Sequence, residues 1–207
     1  SYGAAVNGLT TAPAISDYTA LVWDVNADQT TGWSEKDLLI SNNVKADNTY
    51  KFDARGTGKQ LEFRHALSKV TVNLKAGEGF ADSKFVNDPT VTLLDWAHTN
   101  GTVNVTDGTV TLGNNTGVTM YQAATAATGY NVTKEALVMP GSAFIKGADI
   151  IRINADDNIY YVSSEKIRAA INAADHDTDD LTKAGKNYII KVTVNKTDIQ
   201  VSATVVD

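Results

Sequence analysis

The chain has no cysteine among its 207 residues. Disulfides, thiolate metal sites and a cysteine nucleophile are all excluded. Proline and histidine are scarce, at 3 residues each. His65, His98 and His176 lie far apart and form neither an HxH nor an HExxH pair, so zinc and metalloprotease chemistry has no support. Charged residues make up 20%, below the usual share of about 25%. The formal net charge is -6 and no basic run is present, so nucleic acid or anionic lipid would gain no charge neutralisation from this surface. No apolar run is long enough to cross a membrane. With neither an initiator methionine nor an apolar leader, the chain reads as a processed mature form or a trimmed piece.

Catalytic constellations are missing too. Gly141-Ser142-Ala143 lacks the GxSxG elbow of a hydrolase nucleophile. The acidic residues sit mainly in loops, where solvated carboxylates are the ordinary state, and no acid–base pair is indicated. The chain reads as a protein without a cofactor and not as an enzyme.

What is present is β-structure. Hydrophobic residues make up 43%, enough for a core, and Thr, Asn, Ser and Gly supply the exposed strand positions and turns. Short alternating runs occur at Thr19–Trp23, Leu38–Ile40, Tyr50–Phe52 and Val91–Leu94. Leu61, Phe63, His65 and Leu67 alternate in one parity; Val70, Val72 and Leu74 alternate in the other. One regular strand cannot bury both sets, so a bulge or a change of sheet is expected at Ser68-Lys69. His65 reads as a core or sheet-surface histidine that hydrogen-bonds to backbone. Asp107-Gly108, Asp156-Asp157-Asn158 and Lys196-Thr197-Asp198 each separate two β-runs and predict three hairpins. One helix is expected from Ser164 to near Asp175. Ser164 can cap it, Glu165 favours its N-terminal end, and Ile167, Ala170, Ile171 and Ala174 share a face. Breaks at Ala76–Gly79 and Asn87-Asp88-Pro89 predict two domains, 1–88 and 89–207, each a β-sandwich with Greek-key connections.

Two loops have calcium-like spacing. Asp24, Asn26, Asp28 and Glu35 occupy positions 1, 3, 5 and 12 of an EF-hand-like loop, although Gln29 stands where the sharp turn wants glycine. Asp175, Asp177 and Asp179 also alternate but lack the later ligands. Both read more simply as solvated loops. Trp23, Trp33, Trp96 and Tyr160-Tyr161 could stack on sugars, but strand aromatics are more often core. The Asn-x-Thr sequons at Asn104, Asn114, Asn131 and Asn195 are expected by chance in so Thr- and Asn-rich a chain.

Two stretches carry a family resemblance. Leu61-Glu62-Phe63-Arg64-His65-Ala66-Leu67-Ser68-Lys69-Val70-Thr71-Val72-Asn73-Leu74 is similar to the F-x-H-A-L-[SA]-K-[VL]-x-[VIL] strand of Mfa-like fimbrillins, the pilins of type V pili. Ala184-Gly185-Lys186-Asn187-Tyr188, followed by Val192–Thr197 and Ile199, resembles the family's C-terminal A-G-K-x-Y strand pair. The resemblance runs in order over roughly residues 38–207. It implies two transthyretin-like β-sandwich domains, export as a lipoprotein precursor and assembly outside a Gram-negative outer membrane. It also implies removal of a first strand by proteolysis, which opens a groove for a neighbour's C-terminal strand.

Strand donation has a physical logic of its own. A sandwich lacking a strand exposes an apolar cleft and unpaired backbone groups, and a donated strand satisfies both. A head-to-tail contact that does not close propagates a filament of identical or related subunits. Ile199, Val201, Ala203 and Val205 share one face of the best donor, Ile199–Val206; the alternative is an ordinary final strand kept in its own domain. The expected acceptor lining is Leu61, Phe63, Val70, Val72 and Leu74. A monomeric tip adhesin or glycan-binding module on the same fold is the rival reading, with host or bacterial surface ligands as partners.

Overall fold

A computed structural model describes residues 19–41, 62–144, 147–175 and 180–207. In chain order the strands are β1 (Leu21–Asp24), β2 (Leu39–Ser41), β3 (Phe63–His65), β4 (Ser68–Ala76), β5 (Thr90–Leu93), β6 (Asn100–Val103) and β7 (Val110–Leu112). There follow β8 (Val118–Thr119), β9 (Tyr121–Gln122), β10 (Val132–Val138), β11 (Asp149–Ala155) and β12 (Asn158–Ser163). After helix α1 (Ser164–Asp175) come β13 (Asn187–Val194) and β14 (Ile199–Val206). The protein is all-β with this one α-helix among the described residues.

The parity change at Ser68-Lys69 is a change of sheet. β3 pairs with β2, and just beyond it β4 enters a five-stranded sheet of order β14-β13-β4-β10-β9. That sheet is mixed: β13 runs parallel to β4, while β10 flanks β4 antiparallel. A four-stranded sheet, β12-β11-β5-β8, faces it. Val70, Val72 and Leu74 of β4, Ile190 and Val192 of β13, Val91 and Leu93 of β5, and Ile151 and Ile153 of β11 are buried together. The two-residue period puts every second side chain of β13 into this core. Helix α1 adds Ile167 and Ile171, one turn apart on one face, and lies against β14.

A second core gathers Val25, Leu38, Ile40, Ala66, Leu67, Val103 and Val105 beneath the β1-β6-β7 sheet and the β2-β3 pair. Leu137 and Met139 also belong to it, whereas Ala136 and Val138 belong to the first core. The end of β10 is thus buried on both faces, which explains the continuous apolar run Ala136-Leu137-Val138-Met139. Strand pairing crosses the expected boundary between 1–88 and 89–207. β4 lies before it yet is the centre of a sheet whose other strands lie after it, and β1 pairs with β6 across it.

The three hairpins form as expected. Gly108 has φ +83° between β6 and β7. Asp156 and Asp157, both at positive φ, join β11 to β12; a two-residue turn with both centres left-handed matches the twist of the flanking strands. β14 folds back on β13 from Val194↔Ile199 onward. The expected strand at Tyr50–Phe52 lies outside the described residues. Phe63 corrects the sequence reading: it is exposed on β3, as is His65, which lies on the sheet surface, and Leu67 of the same parity is buried in the second core beyond the end of β3.

Candidate functional site

The two motif stretches meet at the start of the β4–β13 pair. The Gly185 amide donates to the Leu67 carbonyl at 2.9 Å, and the Lys69 amide donates to the Lys186 carbonyl at 2.9 Å. The Ser68 hydroxyl donates to the Lys183 carbonyl at 2.8 Å. Gly185 sits at φ +76°, a conformation that costs residues bearing a Cβ. Tyr188 is buried, and its hydroxyl accepts the Lys183 amide at 2.9 Å. Segments more than a hundred residues apart thus set one another's register.

The expected donor strand is at the edge of its own sheet. β14 pairs with β13 along its whole length and, among the described residues, has no strand on its other side. Ile199 is buried; Val201, Ala203 and Val205 are half-buried and pack on the first core. Gln200 and Ser202 face solvent. The Lys166 ammonium of α1 donates to the Ile199 carbonyl at 2.9 Å, and Lys186 pairs with Asp207 beyond the strand's end. The expected acceptor lining is placed differently. Val70, Val72 and Leu74 are 0% exposed, and β4 has neighbours on both edges, so they line a closed core instead of a groove. Phe63 is exposed on β3, and Leu61 lies outside the described residues.

The calcium-like loop turns its oxygens inward to its own backbone. Asp24 accepts the Asn26 amide at 2.7 Å. Asp28 accepts both the amide and the hydroxyl of Thr30, and these bonds, the amide first, hold its carboxyl below the usual range. Glu35 sits apart in a short 3-10 turn, Ser34–Lys36. Among the described residues no group of acidic or histidine side chains could hold a metal ion. Gln29, the residue at the glycine position, is 1% exposed. Its carboxamide accepts from the Leu137 amide and donates to the Leu137 carbonyl, each at 2.9 Å. It occupies the edge of β10 as a neighbouring strand would. Of the second loop, Asp177 and Asp179 lie outside the described residues.

A family model described as fimbrillin-like matches residues 7–207. The chain belongs to the fimbrillin-like family. That family is structural, not enzymatic, and it implies a fimbrial subunit or adhesin in a cell-surface appendage. A candidate cell adhesion protein of Bacteroides uniformis ATCC 8492 shares the fold: 20% identity, TM-score 0.67, covering 96% of this chain and 70% of that one. A candidate cell adhesion protein of Bacteroides ovatus ATCC 8483 has 18% identity and TM-score 0.46 over 71% of this chain and 47% of that one. The tip fimbrial protein Mfa3 of Porphyromonas gingivalis, C-terminally truncated, has 9% identity and TM-score 0.44 over 79% and 60%. The first similarity carries the fold alone. A search of curated proteins finds no sequence match.

The remaining polar and aromatic residues of this fimbrillin-like chain are spread over separate places. Trp96 is buried and its indole N–H donates to the Ile150 carbonyl at 2.7 Å. Trp23 donates to the Lys36 carbonyl at 2.8 Å. Tyr161 is exposed on β12. Trp33 lies beneath the Lys69 ammonium, 4.3 Å from its ring centre, and its N–H donates to Glu135, which also pairs with Lys69. Trp33, Asp37, His65 and Lys69 line a cavity of about 250 Å³ beside the motif junction. His65 is not the backbone-bonded histidine expected; its Nδ1 lies 2.8 Å from Asp37 Oδ2. The Ser142 hydroxyl donates to the Met139 carbonyl and accepts the His98 backbone amide, so its contact with His98 bypasses the imidazole. No helix of the described residues is long and apolar enough to cross a membrane.

Proposed function

We propose that this chain is a structural subunit of a fimbria on a Gram-negative surface. In this reading the subunits, once processed by proteolysis, polymerise head-to-tail by exchanging β14. The observation that carries the reading is the state of that strand. It is terminal, it lies at an edge, it alternates apolar and polar residues, and its apolar row is half-buried. An edge strand leaves with the loss of one ladder, and the same ladder re-forms on a neighbour's vacated β13. The acceptor is then the β13 edge beside α1, lined by the core face of Tyr188, Ile190 and Val192. This replaces the groove expected at β4.

A second reading, a monomeric tip adhesin or glycan-binding module, is favoured by the complete home pairing of β14 and by its Lys186–Asp207 tie. A reversible lock separates the two. Lys191 and Ser202 are cross-strand partners, and the chain has no other cysteine to compete. Oxidised Lys191→Cys/Ser202→Cys protein should stay monomeric by electron microscopy, and reduction should restore filaments. Filaments from the oxidised protein would rule out β14 exchange; an unmodified protein that never polymerises would favour the adhesin.

A further inference from the structure

Lys134 stands on the wrong face of β10. It lies between Val132 and Ala136, opposite Val72, in the row that builds the first core. It is 5% exposed. Its ammonium makes no ion pair among the described residues; its hydrogen bond goes to a neutral group, Gln122 Oε1, at 2.7 Å. Burial pulls its pKa below the ordinary lysine value, and the charge of Asp88 only partly opposes this. Gln122 is the cross-strand partner of Lys134 on β9, and its amide nitrogen donates to Asp88 Oδ2 at 2.7 Å. An amine whose neutral form burial favours, a carboxamide held against it and a carboxylate on the leaving nitrogen are the three groups this amide exchange uses.

We propose that Lys134 and Gln122 form an intramolecular isopeptide bond. Neutral Nζ attacks Gln122 Cδ, and a new C–N bond forms. One proton passes from Nζ to Nε2, the leaving nitrogen that Asp88 holds by its hydrogen bond. The old C–N bond breaks and ammonia leaves, so no oxidant or outside co-reactant is required. The product is a neutral amide in a place where a buried ammonium is costly. It would fix β9, the short strand just after the chain passes from the four-stranded sheet at β8 to the five-stranded sheet. The bond does not depend on β14 exchange.

Intact-mass measurement of the full chain is expected to show a deficit of one ammonia. Cyanogen bromide cleaves at Met120 and Met139 and isolates fragment 121–139, which should carry the whole deficit. Chymotryptic cleavage at Tyr130 lies between Gln122 and Lys134, so the two pieces should stay joined. Lys134→Arg, which keeps the charge but not the amine, should restore the full mass, as should Gln122→Met if the arginine variant fails to fold. A wild-type fragment of full mass, or one whose two pieces separate after cleavage at Tyr130, would overturn the proposal. A deficit found in any other fragment would overturn it as well.

Discussion

Single residues here do work that their type alone does not announce. Gln29 replaces a strand: its carboxamide satisfies both backbone groups of Leu137 at the edge of β10. Gln29→Leu removes both partners together, and each orphaned buried group costs about 1–3 kcal/mol. A loss of about 2–6 kcal/mol is expected in urea unfolding, and a loss below the fitting error would show that water replaces the carboxamide. The sequence displayed this residue only as a defect in a calcium-like loop, because a side chain mimicking a strand has no periodicity. Asp156 is a second case. It accepts the backbone amides of Val86 and Asn87, which hold its carboxyl below the ordinary range. Its folded pKa is depressed, so its contribution is present above the unfolded pKa and fades as pH falls through the folded one. Asp156→Asn should therefore flatten the acid limb of the stability profile between those two values, and leave its shape near neutrality unchanged.

Elements were the scale at which the sequence spoke most clearly. The hairpin turns at Asp107-Gly108 and Asp156-Asp157 and the helix at Ser164 are local, so turn chemistry and periodicity suffice to find them. The parity break at Ser68-Lys69 also showed, because a period of two leaves no other way to bury both sets. What stayed hidden was the parallel β4–β13 pair, since neither strand's pattern names its partner. The placement of Phe63 in solvent was hidden for the same reason: alternation gives two faces but not which one is covered. Two predictions belong here. Ile171→Ala in α1 should cost about 2–5 kcal/mol, read from denaturant midpoints, because Ile171 is buried against the first core. Deleting 197–207 should abolish polymerisation and also lower the melting temperature, since Ile199 and Val201 leave that core. A truncated chain that still makes fibres would exclude β14 as the donor.

Taken whole, the described residues form two hydrophobic cores that share one strand between them. Ala136 and Val138 point into one core and Leu137 into the other. Two bodies joined through a common strand unfold together when neither keeps its wall without the other. Calorimetry should give a single transition whose calorimetric and van't Hoff enthalpies agree. Leu137→Ala, although it belongs to the second core, should lower that transition without splitting it. Two resolved transitions would mean that β10 keeps its place with one core melted. The family resemblance implied two domains in tandem, and the sequence break at Asn87–Pro89 suggested where to divide them. The cores follow a different partition, because pairing in space joins β1 to β6 and β4 to β13 across that break.

The parallel pairing of β4 with β13 also imposes a timetable. β4 is complete by residue 76, yet its neighbour on one side begins at residue 187. A ribosome delivers the chain from its N-terminus, so one edge of β4 is made long before the strand that covers it. Pairings so distant are slow to form, and a waiting strand of this kind invites aggregation. That edge stays open until β13 has been made, and a chain still open is one that can be threaded through a membrane pore. A topology that completes its central sheet so late suits a protein of a cell-surface appendage.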